Sequence, residues 1–144
     1  MSGNLYEQDI VLWSERQAEL LRRVAEGAAM NERPDWTNII EEIESVGNEQ
    51  RFAVESHLLQ ALVHMLKIEA WPLSRDVPHW EAEAALFRAQ AAARYVPSMR
   101  QRLNLDVIYR RALRAVPRTM DGLAPLPVPQ TCPVTLDELL SEGA

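Results

Sequence analysis

The sequence has little cysteine and little glycine, and these shortages exclude several classes of protein. One cysteine, Cys132, stands among 144 residues, so no internal disulfide can form and a disulfide-stapled domain is excluded. Five glycines are present, and no glycine-rich phosphate loop, Gly-x-Ser-x-Gly elbow or Cys-x-x-Cys pair occurs. The sequence therefore offers no catalytic motif, no catalytic residue is predicted, and a protein that is not an enzyme is favoured.

Long apolar runs are also missing. No run approaches the ~18 residues that a membrane-spanning helix needs, and the N-terminus lacks the basic start and apolar core of a signal peptide. These absences predict a cytoplasmic protein without a membrane partner. Hydrophobic residues at 47% and charged residues at 25% are the mixture of a globular protein, and 144 residues suit one domain over 1–144.

Charge is present but unevenly placed. The net charge of −6 disfavours binding to nucleic acid. Seven acidic residues lie within residues 32–56, whereas eight arginines lie within residues 88–118. Arg110, Arg111 and Arg114 are expected to face outward on a helix, as a candidate surface for RNA, phosphate or an acidic partner. The alternative is a basic face that neutralises the acidic half of the same molecule.

Apolar spacing predicts five main helices and no strands, which indicates a compact all-α bundle. The first helix is expected over about Leu5–Ala25, with Gly27 as its C-terminal cap. Gln17 interrupts its apolar stripe. That stripe consists of Ile10, Trp13, Leu20 or Leu21, and Val24.

Asp35 is the predicted cap of the second helix, because its carboxylate can accept hydrogen bonds from first-turn N–H groups. The inward side of that helix is predicted to carry Trp36, Ile39, Ile40, Ile43 and Val46. Gly47 favours a break or kink, since glycine costs ~1 kcal/mol in a helix interior, and Asn48 could begin a new helix. A small residue at a close crossing within one longer helix is the alternative.

The third predicted helix, Asn48–Trp71, is apolar nearly all round, which is typical of a central, mostly buried helix. A fourth helix is expected over about His79–Tyr95. A fifth is expected from a cap at Ser98 to about Val116, with Tyr109 inward.

Residues 117–144 have a different composition. Four prolines between Pro125 and Pro133 predict an extended, stiff segment. Thr135 and Glu138 then form a Thr-x-x-Glu capping box for a short final helix. Three leucines, Leu136, Leu139 and Leu140, are expected to dock this helix on the bundle.

Histidines and glutamates crowd the stretch "EEIESVGNEQRFAVESHLLQALVHMLK". His57 and His64 share a helix face with Cα atoms ~10.5 Å apart, too far for both to bind one small ion without help. Ligands from elsewhere, such as Glu44 or His79, could complete a site for a divalent metal such as zinc or iron. The alternative is that each histidine satisfies a hydrogen bond within the bundle.

The glutamates of the second helix present a similar choice. A buried member of the set Glu41, Glu42 and Glu44 could serve as a general base. A solvated acidic face is the alternative, with Glu42 nearest the wet side and Glu44 toward the flank of the apolar stripe. Four tryptophans could likewise line a pocket or belong to the core. They are Trp13, Trp36, Trp71 and Trp80.

Several segments together carry a family resemblance. "YEQDIVLW" and "QAELLR" open the chain, "DWTNIIEEIESVG" is continued by "ESHLLQALVHMLK", and "TCPVTLDELL" closes it. With Pro72, Arg75 and Trp80 between them, these segments resemble the bacterial domain-of-unknown-function family 29 from Tyr6 to Leu140. The resemblance implies an all-helical fold and no particular activity.

Three functional hypotheses follow. The first is a non-enzymatic cytoplasmic module that binds a protein partner or itself. The second is a helical-bundle metal-binding protein or hydrolase that uses the histidines with Glu44. The third is a nucleic-acid-associated regulator that uses the three arginines of the fifth helix.

Overall fold

The structure is a computed structural model that describes residues 2–141, without the side chains of residues 2–4, 10 and 11. Six α-helices follow along the chain: α1 (Ser2–Gln8), α2 (Ile10–Ala25), α3 (Trp36–Ala70), α4 (Val77–Arg94), α5 (Leu105–Ala115) and α6 (Leu136–Leu140). A 3₁₀ turn, Pro97–Met99, lies between α4 and α5. No strand occurs among the described residues, so the all-α class is confirmed.

The chain divides into two compact units, Met1–Asn48 and Glu49–Ala144. The boundary lies within α3, so the first unit contains α1, α2 and the N-terminal part of α3. The second unit contains the rest of α3 and the three later helices. The single domain over 1–144 stays a prediction.

The first predicted helix, about Leu5–Ala25, is two helices. Asp9 separates them, because its Oδ1 accepts a hydrogen bond from the Leu12 N–H at 3.0 Å and caps α2. The expected cap at the other end is confirmed, since Gly27 has a φ of +73° and donates its N–H to a carbonyl of the last turn. The side chain of Ile10 lies outside the described residues.

α3 runs through Gly47 without interruption, so the favoured break at this position is wrong. A Cβ built on Gly47 would meet no described atom within 4 Å, so no close crossing requires glycine there. The local cost of about 1 kcal/mol is offset because the helix continues in both directions, and adding turns to an existing helix is favourable.

The second unit is organised around the C-terminal half of α3, as expected from its all-round apolar sequence. Val54, Leu58 and Leu62 are at most 1% exposed. The other helices of the unit contribute Ala91, Ile108, Tyr109, Ala112 and Leu139 to the same buried cluster. Burial of this apolar surface is the main stabilising contribution in the unit.

α5 begins later than predicted. Ser98 lies in the 3₁₀ turn, and Asn104 caps α5 by accepting a hydrogen bond from the Val107 N–H at 3.2 Å. Asparagine serves this purpose as well as serine does, so spacing alone could not choose between them. α4 begins at Val77, two residues early, because its first turn accommodates a proline.

The proline-rich segment is attached to the second unit by its main chain. Three hydrogen bonds make the attachment: Trp71 Nε1–H to Leu123 O (3.1 Å), Leu126 N–H to Ala70 O (2.9 Å), and Tyr109 O–H to Pro129 O (2.6 Å). α6 follows, opened by the predicted capping box of Thr135 and Glu138. Leu139 is 1% exposed, so the predicted docking of α6 is confirmed.

Candidate interaction site

The N-terminal part of α3 exposes a row of large apolar side chains. Trp36, Ile40, Ile43 and Val46 are 44%, 55%, 68% and 69% exposed. At 100° per residue they occupy about one third of the helix circumference, over a length of about 15 Å. We call these four residues the Trp36 face. The prediction that this row points inward is wrong, and of the five residues predicted there only Ile39 is buried.

A neighbouring side of α3 packs within the first unit, and it is partly polar. Glu42 is half-buried, and its carboxylate accepts a hydrogen bond from the Tyr6 O–H. This hydrogen bond raises the pKa of Tyr6 to about 12. The expectation that Glu42 lies nearest the wet side is therefore wrong, whereas Glu41 and Glu44 are exposed.

There is a physical reason why the apolar row of α3 faces solvent instead of the interior. The first unit has only two helices, of 7 and 16 residues, to lay against α3. A unit this small buries a low fraction of its surface, so part of a wide apolar stripe stays outside. The sequence held one signal: α2 offers few apolar counterparts, since Gln17 stands in the middle of its stripe.

Asp35 fixes the start of α3. Its Oδ2 accepts hydrogen bonds from Asn38 Nδ2 at 2.8 Å and from Trp13 Nε1 at 3.2 Å. Its own N–H donates to Gln17 Oε1 at 2.7 Å, which explains a glutamine that is only 5% exposed. The hydrogen bonds from Asn38 and Trp13 lower the pKa of the Asp35 carboxyl, while burial opposes them. A polar network therefore orients the helix that carries the Trp36 face.

Acidic side chains lie to one side of the Trp36 face. Glu44, at its edge, lies about 40° around the helix from Ile40, whereas Glu41 lies about 100° from Ile40 and on nearly the opposite side from Ile43. Within the described part of the chain, neither glutamate forms an ion pair. Residues 1–48 hold ten acidic and four basic side chains, whereas residues 49–144 hold eleven of each. The net charge of −6 therefore belongs to the first unit.

Two of the three histidines predicted as metal ligands pack on an aromatic ring. His57 and His64 lie with ring centroids 6.2 and 5.7 Å from that of Phe87. His64 Nδ1 is 2.7 Å from the carbonyl oxygen of Gln60, so Nδ1 carries the proton in this contact. Burial, with the nearby positive charge of Arg94, lowers the pKa of His57. Both rings have packing or hydrogen-bonding roles.

The predicted metal ligands come from both units. Glu44 belongs to the first unit and His57, His64 and His79 to the second. Among residues 2–141, no three side chains of histidine, cysteine, aspartate or glutamate come together as a metal would need. Metal binding by these residues stays a prediction.

The predicted arginine surface is exposed. Arg110, Arg111 and Arg114 all point to solvent from α5, and none of the ion pairs between described residues includes them. Ile108, Tyr109 and Ala112 face inward on the same helix, as expected. A role of the three arginines in binding stays a prediction.

Three of the four tryptophans belong to the interior. Trp13, Trp71 and Trp80 are 4–5% exposed. Trp71 also borders an apolar pocket of about 300 Å³ within the second unit. Trp36 alone among the tryptophans presents a large exposed ring.

The single cysteine is partly buried. Burial raises the pKa of the Cys132 thiol, which favours its protonated, less nucleophilic form.

Comparison with known proteins places the chain in a family. The sequence profile described as "Domain of unknown function DUF29" matches residues 5–143. The chain belongs to the DUF29 family. As a DUF29 protein it also resembles, at 25% identity and a TM-score of 0.65, an alpha-helical protein of unknown function from Rhodospirillum rubrum. The match covers 96% of this chain and 90% of that protein. No curated protein matches the chain.

None of the helices formed by residues 2–141 has both the length and the apolar character needed to cross a bilayer.

Proposed function

We propose that this DUF29 protein is a non-enzymatic, cytoplasmic interaction module that binds a protein through the Trp36 face. The exposure of four large apolar side chains in one row carries the proposal. Contiguous apolar surface rimmed by polar residues is typical of protein-binding sites, and a helix face with i, i+4 and i+7 anchors is a common recognition surface. An exposed tryptophan at one end adds the residue type that most often dominates binding energy.

Two variants test the proposal. Ile43→Asp places a carboxylate in the centre of the face, and Leu86→Asp places one at another exposed apolar position, 50% exposed, on α4 in the second unit. Exposed substitutions of this kind leave folding intact, whereas a charge inside an apolar contact is costly. We expect the unaltered protein to retain a partner from its native host, or to self-associate by light scattering. Ile43→Asp should lose that association and Leu86→Asp should keep it.

The retained protein must bind again when both components are purified. A strictly monomeric protein without a partner, or a partner that both variants hold equally well, contradicts the proposal.

A further inference from the structure

The chemistry of the Trp36 face points to one kind of partner. We propose that the face binds a basic amphipathic helix, whose apolar stripe covers Ile40 and Ile43 and whose lysines or arginines pair with Glu44 and approach the acidic side of α3 that carries Glu41 further round. This inference rests on the proposed function and adds the partner's charge and shape.

The shape follows from the length of the face. It runs along about three turns of helix, or about 15 Å, which fits three or four anchor residues of a partner helix at i, i+3, i+4 and i+7. The row lies along one convex helix face, so a second helix laid alongside it buries more of the row than an extended strand would.

The charge follows from the acidic flank. Glu41 and Glu44 are exposed and have no ion-pair partner among the described residues, in contrast to Glu19, Glu32 and Glu55, which have one. The first unit carries the full net charge of −6. An approaching acidic or neutral helix would leave these carboxylates unpaired or repelled, whereas a basic helix is steered toward them.

The same charge weighs against a symmetric contact with a second copy. Two-fold symmetry brings each face onto its own counterpart. Each first unit, with its net charge of −6, would then face another of the same charge, which is unfavourable. A dimer through the Trp36 face is therefore an outcome that would overturn the inference.

The experiment uses the full chain and three synthetic peptides of about 18 residues, long enough to form helix on binding. One has a leucine stripe flanked by lysines, the second has the same stripe flanked by glutamates, and the third has the first composition in scrambled order. Binding is measured by calorimetry and by tryptophan fluorescence. Trp36 is the exposed reporter, while the other three tryptophans are at most 5% exposed.

We expect the lysine-flanked peptide to bind and to shift the emission of Trp36 to shorter wavelength. Trp36→Phe should remove the shift and leave calorimetric binding detectable. Affinity should fall about tenfold between 0.05 and 0.5 M salt. The double variant Glu41→Gln, Glu44→Gln should weaken binding about tenfold, whereas Glu81→Gln, which removes an exposed carboxylate of α4, should not. Ile43→Asp should abolish the fluorescence shift.

The outcomes separate this inference from the proposed function. Equal binding of the lysine-flanked and glutamate-flanked peptides, lost in Ile43→Asp, overturns the inference and supports the interaction module. Binding of the scrambled peptide as strong as that of the lysine-flanked one also overturns it, since charge alone would then suffice. A dimer that Ile43→Asp dissociates overturns it as well. If no peptide binds, the inference fails, and partner capture with the Ile43→Asp variant decides the proposed function independently.

Discussion

Different interactions stabilise the interior of each of the two units. Among the side chains that the structure describes, three buried hydrophobic residues lie in the first unit and sixteen in the second, although the second is only twice as long. The first unit relies on hydrogen bonds that converge on Asp35, together with a T-shaped contact between the rings of Tyr6 and Trp13, whose centroids are 4.9 Å apart. The comparison teaches that one helix, α3, can be core at one end and exposed apolar surface at the other.

The largest expected effect contrasts the two ends of α3 directly. Leu62→Ala removes a side chain that is 1% exposed and should lower the free energy of unfolding by about 3 kcal/mol. Ile43→Ala removes one that is 68% exposed and should change it by less than about 0.5 kcal/mol. Urea unfolding followed by circular dichroism measures both. Similar losses in the two variants would contradict the contrast.

A smaller effect probes the polar network of the first unit. Asp35→Ala should cost about 1–2 kcal/mol, because it removes a helix cap and leaves Trp13 Nε1 without its acceptor. The pKa of Asp35 is lowered in the folded state, so its stabilisation is present above its unfolded value of about 3.9 and is lost as pH falls through the lower folded pKa. The protection of α2 amides against hydrogen exchange, relative to their intrinsic rates at each pH, should therefore fall below about pH 4 more in the unaltered protein than in the variant. An identical pH dependence in both would contradict the role of this carboxylate.

In the second unit, the capping box of α6 gives an effect of about 1 kcal/mol. Thr135→Ala removes the hydroxyl that accepts the Glu138 N–H at 3.1 Å and should lower unfolding free energy by that amount. Thr135→Ser keeps the hydroxyl and serves as the control. If both substitutions cost the same, the methyl group of Thr135 matters more than its oxygen.

The smallest effect concerns Gly47, where the units meet in sequence. Gly47→Ala should stabilise the protein by up to about 1 kcal/mol, since the position is helical and a Cβ has free space. Gly27→Ala should have the opposite sign, because a φ of +73° strains an alanine, whereas glycine adopts it without a steric cost. Thermal unfolding of the two variants tests the pair. Destabilisation by Gly47→Ala would show that α3 needs a flexible point there.

The predictions that were confirmed concern features that neighbouring residues along the chain determine. The all-α class, the buried half of α3, the cap at Gly27 and the capping box at Thr135 all depend on spacing and residue type within one or two turns. The break at Gly47 and the cap at Ser98 were wrong because a competing local choice was nearly as favourable. The Trp36 face was misplaced for another reason: apolar periodicity identifies a stripe, but what covers it depends on how much chain is left to pack against it.

The proline-rich segment of residues 117–135 has a bearing on how this sequence can change over generations. Its three attachments use the carbonyls of Leu123 and Pro129 and the N–H of Leu126. Every residue from 121 to 127 is exposed, so most side chains along that stretch contact little. Substitutions there leave the attaching groups in place as long as the backbone keeps its path. Apart from Asp121 and Gly122, whose φ angles of 52° and 78° restrict the residue types that fit, side chains along this stretch can therefore vary while the segment stays fastened to the same helices.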